Sequence, residues 1–448
     1  MNDLMKLAEE LSKFSQNKVL FLKTEPEIGD FTQPFPGKLL VYGDRQYLTI
    51  NIQDKNELSN IYHQLSQFIF CEGVTLICWN VKNLISYFKF MLPRTPIQVG
   101  AKVVDLKLIE GFLGVKQTAP SSLVEALRRL GPYTTNDECK LIHKEIHRPL
   151  ALRVVPDMET CNLVIDTESK KYAYSSYDIE GQTFGRLQSY ETFKQCVTPH
   201  NMGDERKAQL KLRNEKDFFV AFDFKHMEVT MLQWLTGDPL LKKIIDDRED
   251  VYRGIYRTIV GSECDTADKR DLIKNIFLPV MFGMMPNGMV KGLAKRGVEI
   301  TPQSAQTMHR LIKEKFSTAY DFLSDYQERV KTTPVIKDKF GRPRDFSENP
   351  LSVRGFLVQS PSAVFCLEKL IELHDAVGGL GKLLYSIHDG YVLVANEEKL
   401  NRIVVTGLKT LQSPSKLCSG LSLKVSCSLG VRLSHMKELP SKEKNAHS

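Results

Sequence analysis

The chain has 448 residues, of which 42% are hydrophobic and 26% charged, with 27 Gly and 20 Pro. This composition excludes a collagen-like, wholly disordered or disulfide-stapled miniature protein, and the length favours two domains over one. The formal net charge of +7 permits a polyanionic partner, although it suits many solvated surfaces equally well.

The cysteines and the apolar runs predict the compartment. The nine Cys form no CxxC pair and no Cys/His cluster at zinc spacing, so we expect reduced thiols rather than a disulfide framework or a structural zinc site. The first 18 residues lack the apolar centre of a signal peptide, and no apolar run is long enough to cross a bilayer. We therefore expect no membrane partner and a cytoplasmic location.

The first third of the chain alternates short apolar runs with helical patterns. Strands are predicted at 19–22, 39–42, 47–50 and 74–78, a helix between the last two, and further helices over 121–130 and 137–155. This order is typical of a small α/β domain, which we place at residues 1–155. His143 and His147 match no ligand spacing, so we expect them at the surface.

The rest of the chain reads as a connector, a larger domain and a polar tail, at residues 156–217, 218–440 and 441–448. A strand is predicted at 218–224, helices at 228–236, 267–281 and 303–330, and a β-hairpin from the apolar runs 383–387 and 391–395. The segment His388-Asp389-Gly390 stands at the turn of that hairpin. Together the patterns predict a multidomain chain of α/β and α+β class.

Two acidic residues stand at predicted strand ends. Asp223 ends an apolar strand, and Asp389 lies in the hairpin turn. Converging strand ends can hold two Mg²⁺ ions between paired carboxylates, because hard cations prefer oxygen ligands. A single Asp in such a position is more commonly a cap or turn residue, so the pair needs a third element.

That third element is a helix with a mixed stripe. Arg270, Lys274, Leu278 and Phe282 recur every fourth residue, so two cations and two apolar groups share one face. A triphosphate needs cations and a base needs an apolar platform, so the stripe matches a nucleotide along its length. An amphipathic helix with a basic first turn is an equally good reading of this segment alone.

The three blocks, in this order, resemble motifs A, B and C of the family A DNA polymerases. Motif A corresponds to Asp223-Phe-Lys-His-Met-Glu228 followed by Thr236-Gly-Asp238, motif B to the stripe ending at Phe282-Gly283, and motif C to His388-Asp389-Gly390. Two shorter elements are similar to further family motifs: Thr183-Phe-Gly-Arg186-Leu187 and Val358-Gln359-Ser360. Each short match is weak alone, but their common order makes coincidence improbable.

The resemblance implies a right-hand polymerase palm and fingers and a role for each matched residue. Asp223 and Asp389 would bind two Mg²⁺ ions, with Mn²⁺ as an alternative, and Arg270 and Lys274 would hold the triphosphate. The other implied substrate contacts are the sugar-gate residue Glu228, the stacking residue Phe282, the sugar-sensing position Leu278, the primer and nucleotide contact Arg186, the minor-groove contact Gln359, and His388. Gly390 replaces the motif C Glu, and Leu278 replaces an aromatic residue.

The resemblance also implies a degenerate RNase H-like 3′–5′ exonuclease domain at residues 1–155. Its acidic motifs are matched by Glu25 and Asp137, but Lys23 and Asn83 stand where acids are expected. A cation and an amide there would weaken metal binding, so we predict no proofreading. The connector leaves room for a reduced thumb at most, so the family's thumb is expected to be reduced or absent. This predicts weak, salt-sensitive DNA binding unless a processivity or replisome protein compensates.

The sequence therefore predicts a template-directed DNA polymerase that uses primer–template DNA and deoxynucleoside triphosphates (dNTPs). Two alternatives stay open. A single-subunit RNA polymerase shares the palm motifs, although Glu228 argues against it. A replication scaffold without turnover is suggested by Gly390, Leu278 and the missing thumb.

Overall fold

The computed structural model describes residues 7, 9–12, 19–30, 32–33, 37–43, 47–52, 57–115, 118–161, 163–166, 171–173, 175, 177–180, 184–189, 203–212, 214–247, 250–387 and 389–440. The chain forms two compact units. The first comprises Met1–Asp223, Cys366–Ser413 and Lys424–Ser448, and the second comprises Phe224–Phe365 and Pro414–Leu423. None of the helices within the described ranges combines the length and the apolar character needed to cross a bilayer.

The amino-terminal part of the first unit is an α/β assembly. Its elements are β1 (Val19–Glu25), β2 (Lys38–Tyr42), β3 (Tyr47–Asn51), α1 (Leu58–Phe68), β4 (Thr75–Cys78), α2 (Val81–Met91), β5 (Lys102–Asp105), α3 (Leu106–Phe112), α4 (Leu123–Arg129), α5 (Gly131–Thr134), α6 (Asp137–Ile142), two π-helical stretches (His143–His147 and Leu150–Val154) and α7 (Val155–Thr160). The four predicted strands and the helix between the last two are confirmed, whereas β5 was not predicted.

These five strands form one mixed sheet in the order β3-β2-β1-β4-β5. Strands β2 and β3 run antiparallel to their neighbours, and β4 and β5 run parallel to β1. The central strand β1 buries three successive residues, Leu20, Phe21 and Leu22, as expected of a strand covered on both faces. The edge strand β3 instead alternates, with Leu48 and Ile50 buried between exposed residues.

The helical run after α5 differs from the prediction in two ways. The predicted helix over 137–155 forms, but two stretches of it adopt π-helical hydrogen bonding. His143 and His147 are 2% and 1% exposed, so the expectation that they lie at the surface is wrong. A polar residue can lie on the buried face of a helix when apolar neighbours share that face. The lack of metal-ligand spacing at these histidines therefore does not predict whether they are exposed.

A connecting stretch and the second unit follow. The elements are β6 (Leu163–Asp166), β7 (Lys171–Ala173), β8 (Tyr177–Asp178), β9 (Gln188–Ser189), α8 (Asp204–Gln209), β10 (Asp217–Phe224), α9 (Met227–Thr236), α10 (Pro239–Asp246), α11 (Val251–Val260), α12 (Ala267–Met281), α13 (Pro286–Ala294), α14 (Pro302–Lys315), α15 (Ser317–Val330), β11 (Val335–Lys337), β12 (Pro343–Asp345) and α16 (Ser352–Val377). The predicted helix over 303–330 is two helices, α14 and α15, which meet at Phe316.

The chain then returns to the first unit. The last elements are β13 (Gly381–Ile387), β14 (Gly390–Asn396), a short 3₁₀ helix (Glu397–Lys399), α17 (Leu400–Leu411), β15 (Val425–Gly430) and β16 (Lys437–Glu438). They build a second five-stranded sheet in the order β13-β14-β10-β15-β16. The predicted hairpin is confirmed by the antiparallel pairing of β13 with β14. The core against this sheet includes Phe219, Leu384 and Val392.

Candidate active site

The pairing of β10 with β14 brings the two candidate metal ligands together. The strands are antiparallel, and Asp223 lies directly opposite Gly390, the residue after Asp389. Asp223 is exposed and Asp389 is half-buried, so both carboxylates can be reached from solvent. Within the described ranges no group of three or more His, Cys, Asp and Glu side chains forms a metal cluster. The β10–β14 register therefore brings the backbone positions of the two acids close together at one end of the sheet.

Gly390 permits this close approach of the two strands. A Cβ atom at this position would lie 2.9 Å from the carbonyl oxygen of Phe222 and 3.1 Å from Oδ1 of Asp223. The first distance is shorter than a normal contact, and the obstacle is backbone rather than a flexible side chain. The backbone of β10 thus leaves no room for the Glu that the family motif has here.

In the second unit, the side chains of Glu228 and Gln359 are hydrogen-bonded to each other. Glu228 stands in the first turn of α9 and is half-buried, as is Gln359 on α16. Nε2 of Gln359 donates a hydrogen bond to Oε1 of Glu228 over 3.0 Å. The neighbours of Gln359 in the helix, Val358 and Ser360, are fully buried, so the backbone that carries this amide is firmly held.

Helix α12 carries the mixed stripe that the sequence predicts. Thr266 caps the helix by accepting a hydrogen bond from the Lys269 backbone, which is the usual role of Thr at this position. Arg270 is 27% exposed and Lys274 is exposed. The apolar half of the stripe is less accessible, since Leu278 is 8% exposed and Phe282 is half-buried at the end of the helix.

Arg270 lies in a cluster that sequence reasoning missed. Its Nε and Nη2 atoms each lie 2.9 Å from Oδ2 of Asp250, and its guanidinium carbon lies 5.5 Å from the centre of the Tyr252 ring. The Tyr252 ring makes an edge contact with His226 at 5.1 Å. An Asp before an amphipathic helix signals an N-cap, but nothing in the sequence pairs this cap with Arg270.

Burial dominates the electrostatics of His226. Desolvation lowers its pKa, Asp250 opposes this effect, and the cations Arg270, Lys225 and Lys274 add to it. The lowered pKa means that the imidazole is neutral at neutral pH. The Arg270 guanidinium is therefore the permanent cation on Oδ2 of Asp250.

The remaining predicted site residues are placed as follows. Arg186 is half-buried in the segment 184–189 of the first unit, and His388 lies outside the described ranges. Asp223 and Asp389 also belong to the first unit, while the six other candidates belong to the second: Glu228, Arg270, Lys274, Leu278, Phe282 and Gln359.

The residues at the predicted exonuclease positions make the following contacts. Nζ of Lys23 lies 4.0 Å from Oε1 of Glu25, and the side-chain amide of Asn83 donates to the backbone oxygen of Ile28. The Asp137 side chain is 92% exposed and lies 2.8 Å from Nζ of Lys140. A hydrogen bond from Lys140 is the main cause that lowers the Asp137 pKa.

Comparisons with known proteins assign the chain to a family. Residues 117–435 match the model of DNA polymerase family A. DNA polymerase I of Aquifex aeolicus is 24% identical over 75% of this chain and 53% of its own length. The thermostable DNA polymerase I of Thermus aquaticus is 22% identical over 54% of this chain and 30% of its own length. The chain therefore spans about half or less of these relatives.

A solved structure has the same fold. It is the POL domain of Pol1 from M. smegmatis in complex with DNA primer-template and dNTP, which superimposes with a TM-score of 0.73 over 96% of this chain and 98% of that one, at 11% identity. The mixed α/β fold is thus that of a family A polymerase domain. With the family model matching most of its length, the chain belongs to DNA polymerase family A.

Proposed function

We propose that this protein is a template-directed DNA polymerase that adds deoxynucleotides to a primer 3′ end. The observation that carries the proposal is the register that sets Asp223 opposite Gly390, beside Asp389. A pair of accessible carboxylates at adjacent strand ends is what two-metal nucleotidyl transfer requires. Membership of family A and the DNA and dNTP bound by the structural neighbour support the same substrates.

Asp223 and Asp389 would hold two divalent ions, Mg²⁺ or Mn²⁺. Both side chains offer hard oxygen ligands, and the exposure of Asp223 leaves space for water and phosphate oxygens. When bound, such ions activate the primer hydroxyl and neutralise charge on the departing pyrophosphate. The protein's part would be to hold the two carboxylates side by side, and the backbone pairing of β10 with β14 supports this role.

The second unit would bind the incoming nucleotide. Arg270 and Lys274 supply positive charge one helical turn apart, as a triphosphate needs. Phe282 offers a face for stacking, and Glu228 crowds a 2′-hydroxyl, so that deoxynucleotides are preferred. Arg186, Gln359 and His388 would contact primer or template, and Leu278 would stand beside the sugar.

We also propose a role for each domain. The sheet β3-β2-β1-β4-β5 would be an exonuclease-like domain without activity, and residues 218–440 the palm and fingers. Lys23 and Asn83 already interact with Glu25 and with the Ile28 backbone, which favours a structural use of these positions. Metal-dependent degradation of a 3′ end by the pure protein would refute this assignment. The short connector would leave room for a processivity partner.

Primer extension tests the proposed activity. The purified protein should extend a primer on a DNA template with dNTPs at low salt, and Asp223→Asn and Asp389→Asn should each reduce the rate by at least about a thousandfold, because each removes a metal ligand. Preference for ribonucleotides would point to an RNA polymerase instead. No extension with either Mg²⁺ or Mn²⁺ would favour the scaffold.

A further inference from the structure

Three helix starts of the second unit converge on the Arg270 guanidinium. His226 precedes α9, Asp250 is the N-cap of α11, and Arg270 lies in the first turn of α12. Tyr252, in the first turn of α11, faces both His226 and Arg270. An arginine on a solvent-exposed helix surface keeps most of its rotamer freedom, whereas the Arg270 side chain is held by Asp250 and by the Tyr252 ring.

The two oxygens of Asp250 have separate roles. Oδ1 accepts hydrogen bonds from the backbone N–H groups of Tyr252 and Arg253, at 3.0 and 3.2 Å, which caps α11. Oδ2 accepts from Arg270, and Nε2 of His226 lies 3.6 Å from the same oxygen. A single carboxylate therefore fixes a helix end with one atom and the guanidinium with the other.

The contacts leave part of the guanidinium available. Nε and Nη2 face Asp250, and Nη1 lies 3.3 Å from Oδ1 of Asp271, a side chain that is itself 60% exposed. Since Arg270 stays 27% exposed, an anion can reach it beside the exposed Lys274 without breaking the Asp250 contact. The charge of Asp250 orients the guanidinium before any ligand arrives.

We infer that Asp250 is a positioning residue for triphosphate recognition, acting through Arg270. This inference rests on the proposed function for the role of Arg270. A free arginine must lose rotamer freedom when it binds phosphate, and a side chain ordered beforehand avoids most of this loss. Asp250 thereby raises affinity for a triphosphate although it is itself an anion near the bound phosphates.

Asp250→Asn tests the inference because it keeps the capping role of Oδ1 and removes the acceptor role of Oδ2. Asn is as good an N-cap as Asp, so the cap of α11 is kept, while the amide nitrogen that replaces Oδ2 cannot accept from Arg270. Asp250→Ser is the second variant, since Ser also caps helices and lacks the second oxygen. We expect each variant to raise the KM for dNTP by about five- to twentyfold, with a smaller change in kcat.

A double-mutant cycle with Arg270→Ala separates positioning from a structural effect. If Asp250 acts through Arg270, Asp250→Asn has no further effect on KM in the Arg270→Ala background. A similar loss in both backgrounds, or a KM that falls in the single variant, would overturn the inference. Thermal melting of each variant shows whether the fold is kept.

Titration with inorganic triphosphate gives a readout that needs no catalysis. Binding should weaken in Asp250→Asn and in Arg270→Ala, and no further in the double variant. Primer extension by the unaltered protein together with unchanged triphosphate binding in Asp250→Asn would refute the positioning role alone. The coupled weakening in a protein that extends no primer would refute the polymerase proposal and leave the positioning role standing.

Discussion

At the scale of single residues, Gly390 controls how the acidic pair is built. A side chain here would press on the Phe222 carbonyl and on the Asp223 carboxylate. We predict that Gly390→Ala displaces Asp223 and lowers the rate of primer extension by about tenfold or more, because small misplacements of catalytic groups are costly. Gly131→Ala, where a Cβ meets no atom within 4 Å, is the matched control. Equal rates for both variants would show that the strands can adjust.

The contact between Gln359 and Glu228 leads to a prediction about sugar selection. Nε2 of Gln359 donates a hydrogen bond to Oε1 of the Glu228 carboxylate. Gln359→Met removes this donor with little change of volume, so the Glu228 side chain should be held less firmly. We expect the preference for deoxynucleotides over ribonucleotides to fall by about three- to tenfold.

Single-nucleotide incorporation with a dNTP and the matching ribonucleotide measures this ratio. Glu228→Ala supplies the background in which Gln359→Met should change the ratio no further. An additional loss in that background would mean that Gln359 acts on the sugar by another route, such as through the primer.

The candidate residues differ in how far sequence could predict their arrangement. The adjacency of the strand end at Asp223 and the turn at Asp389 was predictable, because each follows an apolar run and the resemblance to motifs A and C implies their partnership. The Arg270 cluster was not, since Asp250 and Arg270 are brought together by helix packing that leaves no periodic signal. Gly390 could be identified from the sequence as a departure from the family pattern. Why a glycine is needed there could not, because it depends on how close the Phe222 backbone lies.

At the scale of elements, strongly periodic segments were predicted well, whereas helix breaks and π-helical stretches were not. Helix α12 forms at the predicted residues, because its apolar positions recur with helical spacing. The helix over 303–330 breaks at Phe316, which is fully buried and continues the apolar pattern across the break. The π-helical stretches around His143 likewise leave no sequence signature.

The first π-helical stretch carries a buried histidine that should make stability depend on pH. Desolvation, followed by the neighbouring His147, lowers the pKa of His143 to about 3. The folded pKa lies below the unfolded value of 6.5, so the unfolded chain takes up a proton that the folded chain does not. This contribution to stability is complete above pH 6.5 and is lost as the pH falls, by about 2 kcal/mol between pH 7 and pH 5.

Urea unfolding at pH 7 and pH 5 checks this sign and size. His143→Gln is the suitable variant, because Gln can still accept the hydrogen bond that the Asp105 backbone N–H donates to Nε2 of His143. The variant should lose about 2 kcal/mol less than the unaltered protein between the two pH values. An identical pH dependence in both proteins would contradict the assignment of the titration to His143.

At the scale of the whole molecule, the strand order of the second sheet depends on residues that are far apart in the chain, which local sequence patterns cannot predict. Most of the second unit, Phe224–Phe365, is inserted between Asp223 and Cys366. The paired strands β10 and β14 are therefore separated in the chain by these inserted residues. Such distant pairings have high contact order and are expected to form late. Sequence patterns predict the strands, whereas their order in the sheet depends on this long-range closure.

The hairpin β11–β12 is a candidate surface for the DNA binding that the proposed function requires. The hairpin β11–β12 carries exposed Lys337 and Lys339, whereas Arg342 is only 1% exposed. The two lysines are therefore accessible to phosphates, whereas Arg342 is not. We predict that replacing both by Ala weakens primer–template binding and lowers the slope of log K against log salt by about two, one for each lost contact.

Fluorescence anisotropy of labelled primer–template across a salt series measures that slope. The control is Lys242→Ala with Lys243→Ala, two exposed lysines on α10, of which Lys242 pairs with Asp246. The control removes the same net charge, so a smaller slope in both double variants would indicate a general charge effect. A smaller slope only in the hairpin variant would locate the phosphate contacts there, since counterion release counts individual contacts rather than total charge.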